Sequence, residues 1–191
     1  DMNILSMDCS SSDGSVGLLL KDGTYHEESW LKSRSHSEKI TLGIQACASK
    51  LAFPLSQVDV IGVTYGPGSF TGIRIAVNSA RTLAYALNKP IVGVSHHEVL
   101  VNHLTPEKTS VLVLQNAFTN SVFYSTFRPE NGSWIPEHTP QHCFLKDTEE
   151  IISTPHMVVG DALTAYEDAI PEKLKSLLII PKISPTQSSA N

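Results

Sequence analysis

What the 191-residue chain lacks narrows it first. Its three cysteines, Cys9, Cys47 and Cys143, are far apart and odd in number. A disulfide-built secreted scaffold is therefore excluded, and a reducing cytoplasm is the expected setting. No Cys-x-x-Cys pair occurs and no His-x-x-x-His metal pair is expected; the His96-His97 doublet reads as a helix start. No apolar run approaches the ~20 residues of a membrane helix, and the opening residues show no signal-peptide pattern. Positive charge is scarce, 14 Lys and Arg against 19 Asp and Glu, for a net charge of −5. Such a chain alone is not expected to grip a nucleic acid backbone, and a partner would have to supply the basic surface. Walker A, the dinucleotide fingerprint and the Gly-x-Ser-x-Gly elbow are all missing.

What remains is an ordinary globular composition, 41% hydrophobic and 17% charged, long enough for one large domain or two small lobes. Its most distinctive stretch is Gly66-Pro67-Gly68-Ser69-Phe70-Thr71-Gly72, followed by Ile73-Arg74-Ile75. An apolar run, Val58 to Tyr65, leads in, and a small-residue pattern from Gly72 to Leu87 leads out, giving strand, glycine-rich elbow and helix. Ser69 and Thr71 can cap the helix, whose free N–H groups and positive dipole end suit an anion. Asp8, Gly66, Gly68, Ser69, Thr71 and Arg74 form a candidate anion or nucleotide site. A tight turn that aims the helix is the competing reading. Arg74 either meets an anion or partner carboxylate or pins the elbow through carbonyls, and Phe70 is expected to plug the turn from beneath.

Gly72, Ala76, Ala80 and Ala84 stand four residues apart, a row of little bulk on one helix face. It can pack against a neighbouring helix of the same lobe, the usual fate of such faces, or receive another subunit.

The rest of the chain reads as alternating elements. Ile4–Met7 is a strand ending at Asp8, Ser15–Leu20 a second, and Tyr25–Trp30 a third after the Asp22-Gly23 hairpin signal. A helix starts at Ser35 or Ser37, with Ile40, Ile44, Cys47 and Leu51 on one face, and Pro54 stops it. Ile91–Val94 is a strand, and Ser95 can cap a helix through Glu98 to His103. Thr105-Pro106-Glu107-Lys108 marks a boundary between an N-terminal lobe, residues 1–104, and a C-terminal lobe, residues 105–191. The second half opens again with strands, at Val111–Leu114, Val122–Phe127 and around Trp134 or His142–Leu145. A helix start at Asp147, a strand at Met157–Val159, a helical turn at Asp161–Tyr166 and Leu177–Ile180 complete it. Pro181–Asn191 reads as a frayed tail.

These residues resemble the TsaB (YeaZ) family, which acts in making threonylcarbamoyladenosine on tRNA. The resemblance rests on Ile4-Leu5-Ser6-Met7-Asp8, His36-Ser37-Glu38, the elbow through Ile75, Leu83-Ala84 and Pro90-Ile91-Val92-Gly93-Val94-Ser95, and fades beyond Glu98. It implies an α/β fold of the actin/Hsp70/sugar-kinase type (ASKHA), with two related lobes, each a mixed sheet with packed helices. It also implies a non-catalytic scaffold that pairs with the catalytic paralogue TsaD (Gcp), with a TsaE-type ATPase joining. The complex transfers threonylcarbamoyl to N6 of adenosine 37 of tRNA, which this chain would meet only indirectly. No cofactor is implied for the chain itself, since partner subunits hold ATP. In the family two N-lobe helices form the subunit interface, which maps to His36, Ile40, Gly72, Ile73, Ala76, Val77, Ala80 and Ala84. A homodimer through the same surface is expected when the partner is absent. On that reading Ala80→Trp would block docking and leave the lobe folded. Departures lie in the second half: Asn116-Ala117-Phe118 stands where relatives have Asp-Ala-Arg, Ser121 replaces a glutamate, and relatives extend past Asn191, so that lobe is expected to be shortened.

Two other functions were weighed. An ATP-dependent phosphotransferase of the sugar-kinase type needs carboxylates from both lobes to hold Mg²⁺, and the second lobe offers neutral Gln115 and Asn116. A peptidase needs a nucleophile with a placed base, and Ser69 has none.

Overall fold

The computed structural model describes residues 1–31 and 35–181, so the tail expected at Pro181–Asn191 lies, apart from Pro181, outside the described residues. The chain divides into two compact units, Asp1–Val99 and the residues from Leu100 onward. Thr105-Pro106-Glu107-Lys108 lies in the irregular stretch between a short helix, α3 (His96–Val101), and the next strand.

In the first unit, β1 (Ile4–Asp8), β2 (Gly14–Leu19) and β3 (Tyr25–Trp30) form an antiparallel meander. The β2–β3 turn uses its Asp-Gly signal as expected: Gly23 takes φ +89° and Thr24 N–H donates to Asp22 Oδ1 at 2.8 Å. Two parallel strands, β4 (Val60–Thr64) and β5 (Ile91–Val94), extend the other side, giving the order β3-β2-β1-β4-β5. Helix α1 (His36–Lys50) joins β3 to β4, and α2 (Phe70–Leu87) joins β4 to β5. At the start of α1, Ser35 Oγ meets Glu38 Oε2 at 3.1 Å. At the end of α2, Asn88 adopts the left-handed conformation and Lys89 N–H returns to Ala84 O at 2.9 Å. Leu5, Met7, Val16, Leu18, Ile40, Cys47, Ile61 and Val63 form the core between the sheet and these helices.

The second unit repeats the plan. Strands β6 (Val111–Asn116), β7 (Ser121–Glu130) and β8 (Ser133–Pro136) pair antiparallel, while β10 (His156–Val159) and β11 (Leu178–Ile179) add in parallel on the far side of β6. Read from β8, the order β8-β7-β6-β10-β11 matches β3-β2-β1-β4-β5 strand for strand and direction for direction. The third position is shared: β8 pairs with Phe127–Glu130 of β7, and β9 (Gln141–Phe144) with Ser121–Tyr124. Both strands weighed around Trp134 and His142 therefore exist. The helices are reduced to a 3-10 segment, Leu145–Glu150, and single turns α4 (Ala162–Ala165) and α5 (Glu172–Lys175). The helix expected from Asp147 does not form. The Thr148 hydroxyl folds back onto Leu145 O at 2.6 Å, and Pro155 leaves no length for a full helix.

The row Gly72-Ala76-Ala80-Ala84 corrects the interface expectation. All four residues are buried in the first unit's own core, together with Leu5, Met7 and Ile40. Gly72 carries the tightest point: a Cβ there would run into the Cys9 carbonyl just past β1. The row lets α2 lie close to β1 and α1, and it is spent inside the chain. His36 and Ile40 are buried too, while Ile73 and Val77 are half-buried, Val77 against the same core. Ala80→Trp is accordingly expected to lower the urea-unfolding free energy by at least about 1–3 kcal/mol through overpacking. Unchanged stability of that variant would mean the row faces outward after all.

Candidate functional site

The carboxyl ends of β1, β4 and β5 come together, the usual place for a ligand crevice in a sheet with parallel strands. Here they are tied by one carboxylate. Asp8 ends β1, and its Oδ1 accepts the Ser10 backbone N–H at 2.8 Å and the Thr64 hydroxyl at 2.6 Å. Ser10 Oγ meets Thr64 Oγ1 at 3.0 Å. The other oxygen, Oδ2, lies 2.8 Å from Nδ1 of His96, the first residue of α3. His96 is indeed a helix start, and its backbone N–H reaches Gly66 O at 2.8 Å. Burial alone would raise the Asp8 pKa. The hydrogen bond and charge of His96, with Thr64 and Ser10, outweigh it and hold the carboxyl well below the usual carboxylate range.

The elbow is built as a turn around this knot. Gly66 and Gly68 take φ +113° and +149°, conformations that favour glycine, and the Gly66–Pro67 peptide is cis. Ser69 caps α2, its Oγ accepting Gly72 N–H at 3.2 Å. Ser69 N–H is itself taken by Ser10 O at 2.7 Å, and Ile73 N–H by Ser69 O at 2.8 Å. The Ser69 and Gly72 N–H groups are thus consumed within the chain, beside a carboxylate that would repel an anion. Thr71 is exposed. Phe70 is not a plug: 73% exposed, it projects outward because Gly72 occupies the inward position of that first turn. Among the described residues Arg74 pins no carbonyl; its guanidinium carbon lies over the Phe70 ring, 5.3 Å from the centroid.

Beside Asp8 a surface cavity of about 190 Å³ is lined by Ser11, Asp13, Gly14, Ser15, Ser29, Trp30 and Leu31. Its floor is fixed by Trp30, whose indole N–H donates to His36 Nδ1 at 3.0 Å and whose ring lies over Gly14. Two carboxylates on so small a cavity disfavour phosphate. Cys9, next to Asp8, is an inert thiol, pushed up to about 12 by burial and by the Asp8 charge.

In the second unit the corresponding strand ends are also committed. Asn116 Oδ1 accepts from Phe118 N–H at 2.7 Å and from the Tyr166 hydroxyl at 2.8 Å, while Asp161 Oδ1 accepts Asn116 N–H at 2.7 Å. Gln115 is buried. One His-x-x-x-His spacing does occur, His138 and His142, contrary to the expectation of no such pair. It spans a bend and the edge strand β9, and the rings pack on different neighbours, His138 on Tyr124 and His142 on Phe123 and Phe144. Among the described residues no group of three or more His, Cys, Asp or Glu side chains is placed to hold a metal ion. No helix of the described residues is long and apolar enough to cross a membrane.

The Asp8–His96 pair was missed in sequence. Its signal was available: Asp8 ends one strand and His96 follows another, and parallel order brings those ends together.

Two related lobes of this strand order define an actin/Hsp70/sugar-kinase architecture. The solved YeaZ from Pseudomonas aeruginosa superposes with a TM-score of 0.78 over 90% of this chain and 81% of that one, at 23% identity. A family profile described as TsaD, tRNA N6-adenosine threonylcarbamoyltransferase, matches residues 30–175. The TsaB protein of Escherichia coli, a tRNA threonylcarbamoyladenosine biosynthesis protein, is 31% identical over 141 residues, 72% of this chain. A Clostridium kluyveri tRNA N6-adenosine threonylcarbamoyltransferase is 39% identical over 66 residues, 35% of this chain. The chain belongs to the family that this profile describes. The aligned stretch spans 61% of the E. coli protein's length and 19% of the clostridial one's.

The knot makes stability depend on pH with a definite sign. A carboxylate whose folded pKa is depressed stabilises fully above its unfolded value, about 3.9, and progressively less as pH falls below about 5. Asp8→Asn is expected to cost roughly 2 kcal/mol at neutral pH and to flatten the fall in urea stability between about pH 5 and pH 2. A variant with the wild-type pH profile would show that Asp8 is not the group responsible.

Proposed function

We propose that this chain is a non-catalytic scaffold in the machinery that installs threonylcarbamoyl on N6 of adenosine 37 of tRNA. It would support a TsaD-type catalytic subunit in the cytoplasm, with a TsaE-type ATPase joining and tRNA met through those partners. The observation that carries this reading is the commitment of Asp8. Every oxygen of the one first-unit carboxylate placed at the parallel strand ends is engaged by Ser10, Thr64 or His96. A phosphotransferase of this fold needs such a carboxylate free for Mg²⁺ and a second from the other lobe, where Asn116 is neutral and bonded to Phe118 and Tyr166. The chain on this reading holds no nucleotide or metal of its own. Likeness to the Escherichia coli TsaB protein supports the pathway.

The experiment is reconstitution. Threonylcarbamoyl transfer to tRNA by the catalytic paralogue and its ATPase should rise strongly on adding this chain, which alone should turn over neither ATP nor adenylate. Turnover by the isolated chain, or transfer indifferent to its presence, would contradict the proposal.

A further inference from the structure

A strand at the edge of a sheet invites pairing with another chain unless charge, proline or shortness guards it. Most edge strands here are guarded. β3 carries Glu27 and Glu28, β8 ends at Pro136, and β11 has two residues and is soon followed by Pro181. β5 places Gly93, which has no side chain to pair, on its outward edge. β9 is different, since Gln141-His142-Cys143-Phe144 holds neither charge nor proline. The register with β7 shows which of its groups are open. Leu145 N–H donates to Asn120 O at 2.9 Å, so Val122 with Cys143 and Tyr124 with Gln141 exchange the ladder bonds. The N–H and C=O of His142 and Phe144 therefore point away from β7, and among the described residues nothing bonds to them. Their side chains share one face with Phe123. The Phe123 and His142 ring centroids lie 5.5 Å apart, those of His142 and Phe144 6.0 Å, and Phe144 is 53% exposed.

This edge is complementary to itself. Centred on Cys143, an antiparallel pair sets His142 opposite Phe144 of a second copy and Phe144 opposite its His142, with N–H···O=C bonds in both directions. Other centres waste an open residue. Centred on His142, Phe144 falls opposite Pro140, which has no N–H; centred on Phe144, His142 falls opposite Lys146, already in the 3-10 segment. The Cys143-centred pair is twofold, so each edge supplies what the other lacks. It also carries the ring ladder across the seam, from Phe123 to His142 to Phe144 of the second copy. Residues 138–145 contain no Asp, Glu, Lys or Arg, so two chains of net charge −5 can meet here without like charges face to face. So short an edge pair stays under about 1,200 Å² of buried surface, the range of weak and reversible contacts.

We propose that β9 is a self-pairing edge: two copies of this chain join antiparallel about Cys143, making one continuous sheet from their two second-unit sheets. The pairing uses second-unit residues alone, and it stands or falls independently of the scaffold reading above.

Sedimentation equilibrium and amide exchange on the full chain test it. At about 1 mM the chain should sediment as a monomer–dimer mixture, and His142→Pro should weaken the dimer at least about tenfold. Position 142 lends no backbone bond to β7, so the thermal melt of that variant should match wild type. If it melts early, the wild-type chain decides. Its His142 and Phe144 amides should exchange more slowly at about 1 mM than at about 20 μM, while Cys143, bonded to β7, exchanges alike at both. A chain that stays monomeric at about 1 mM, a dimer that a well-folded His142→Pro chain forms equally well, or His142 and Phe144 amides indifferent to concentration would overturn the proposal.

Discussion

The structure turns on the contact between Gly72 and the Cys9 carbonyl, where helix α2 meets the chain leaving β1 with no room for a methyl group. From that point the small residues at 76, 80 and 84 keep α2 down on the sheet, and Leu5, Met7 and Ile40 close around them. Ile75, Val77 and Leu83 flank this row against the same core, and the larger residues on the opposite side point away. That is why Phe70, Arg74, Arg81 and Tyr85 are left in solvent. The second unit makes the same join: Gly160, following β10, sits where a Cβ would strike the Leu114 carbonyl of β6. In both units the segment after the fourth strand presses a glycine against the first strand's carboxyl end.

The Asp8 knot depends on the same closeness. Because the elbow is drawn in, Ser69 N–H reaches Ser10 O, and Gly66 O receives His96 N–H. Three chain segments at the strand ends are thereby fixed around one carboxylate.

Much of this was legible in the sequence. The Asp22-Gly23 turn and the Ser69 cap follow from local chemistry, and the structure has both. The elbow residues were legible as a turn with Ser69 at its cap. What failed was direction. A four-residue spacing of small side chains says that something comes close, not whether it is the chain's own sheet or another subunit. Burial of Gly72, Ala76, Ala80 and Ala84 settles that for the chain itself, and Phe70 was misjudged for the same reason. The Asp8–His96 pair joins residues 88 apart in sequence, and only the parallel order of β1, β4 and β5 makes them neighbours. The weak helices of the second unit were over-read, since a few acidic residues at Asp147 mark a helix start without supplying its length.

The most direct test is the unfolding free energy of Gly72→Ala. On an open helix face this change is favourable by about 1 kcal/mol, because alanine is the better helix former. Here the methyl would meet backbone, which cannot swing aside, and the variant should instead lose at least about 2 kcal/mol. A gain in stability would mean that α2 does not lie against β1, and the placement of both its faces would have to be abandoned.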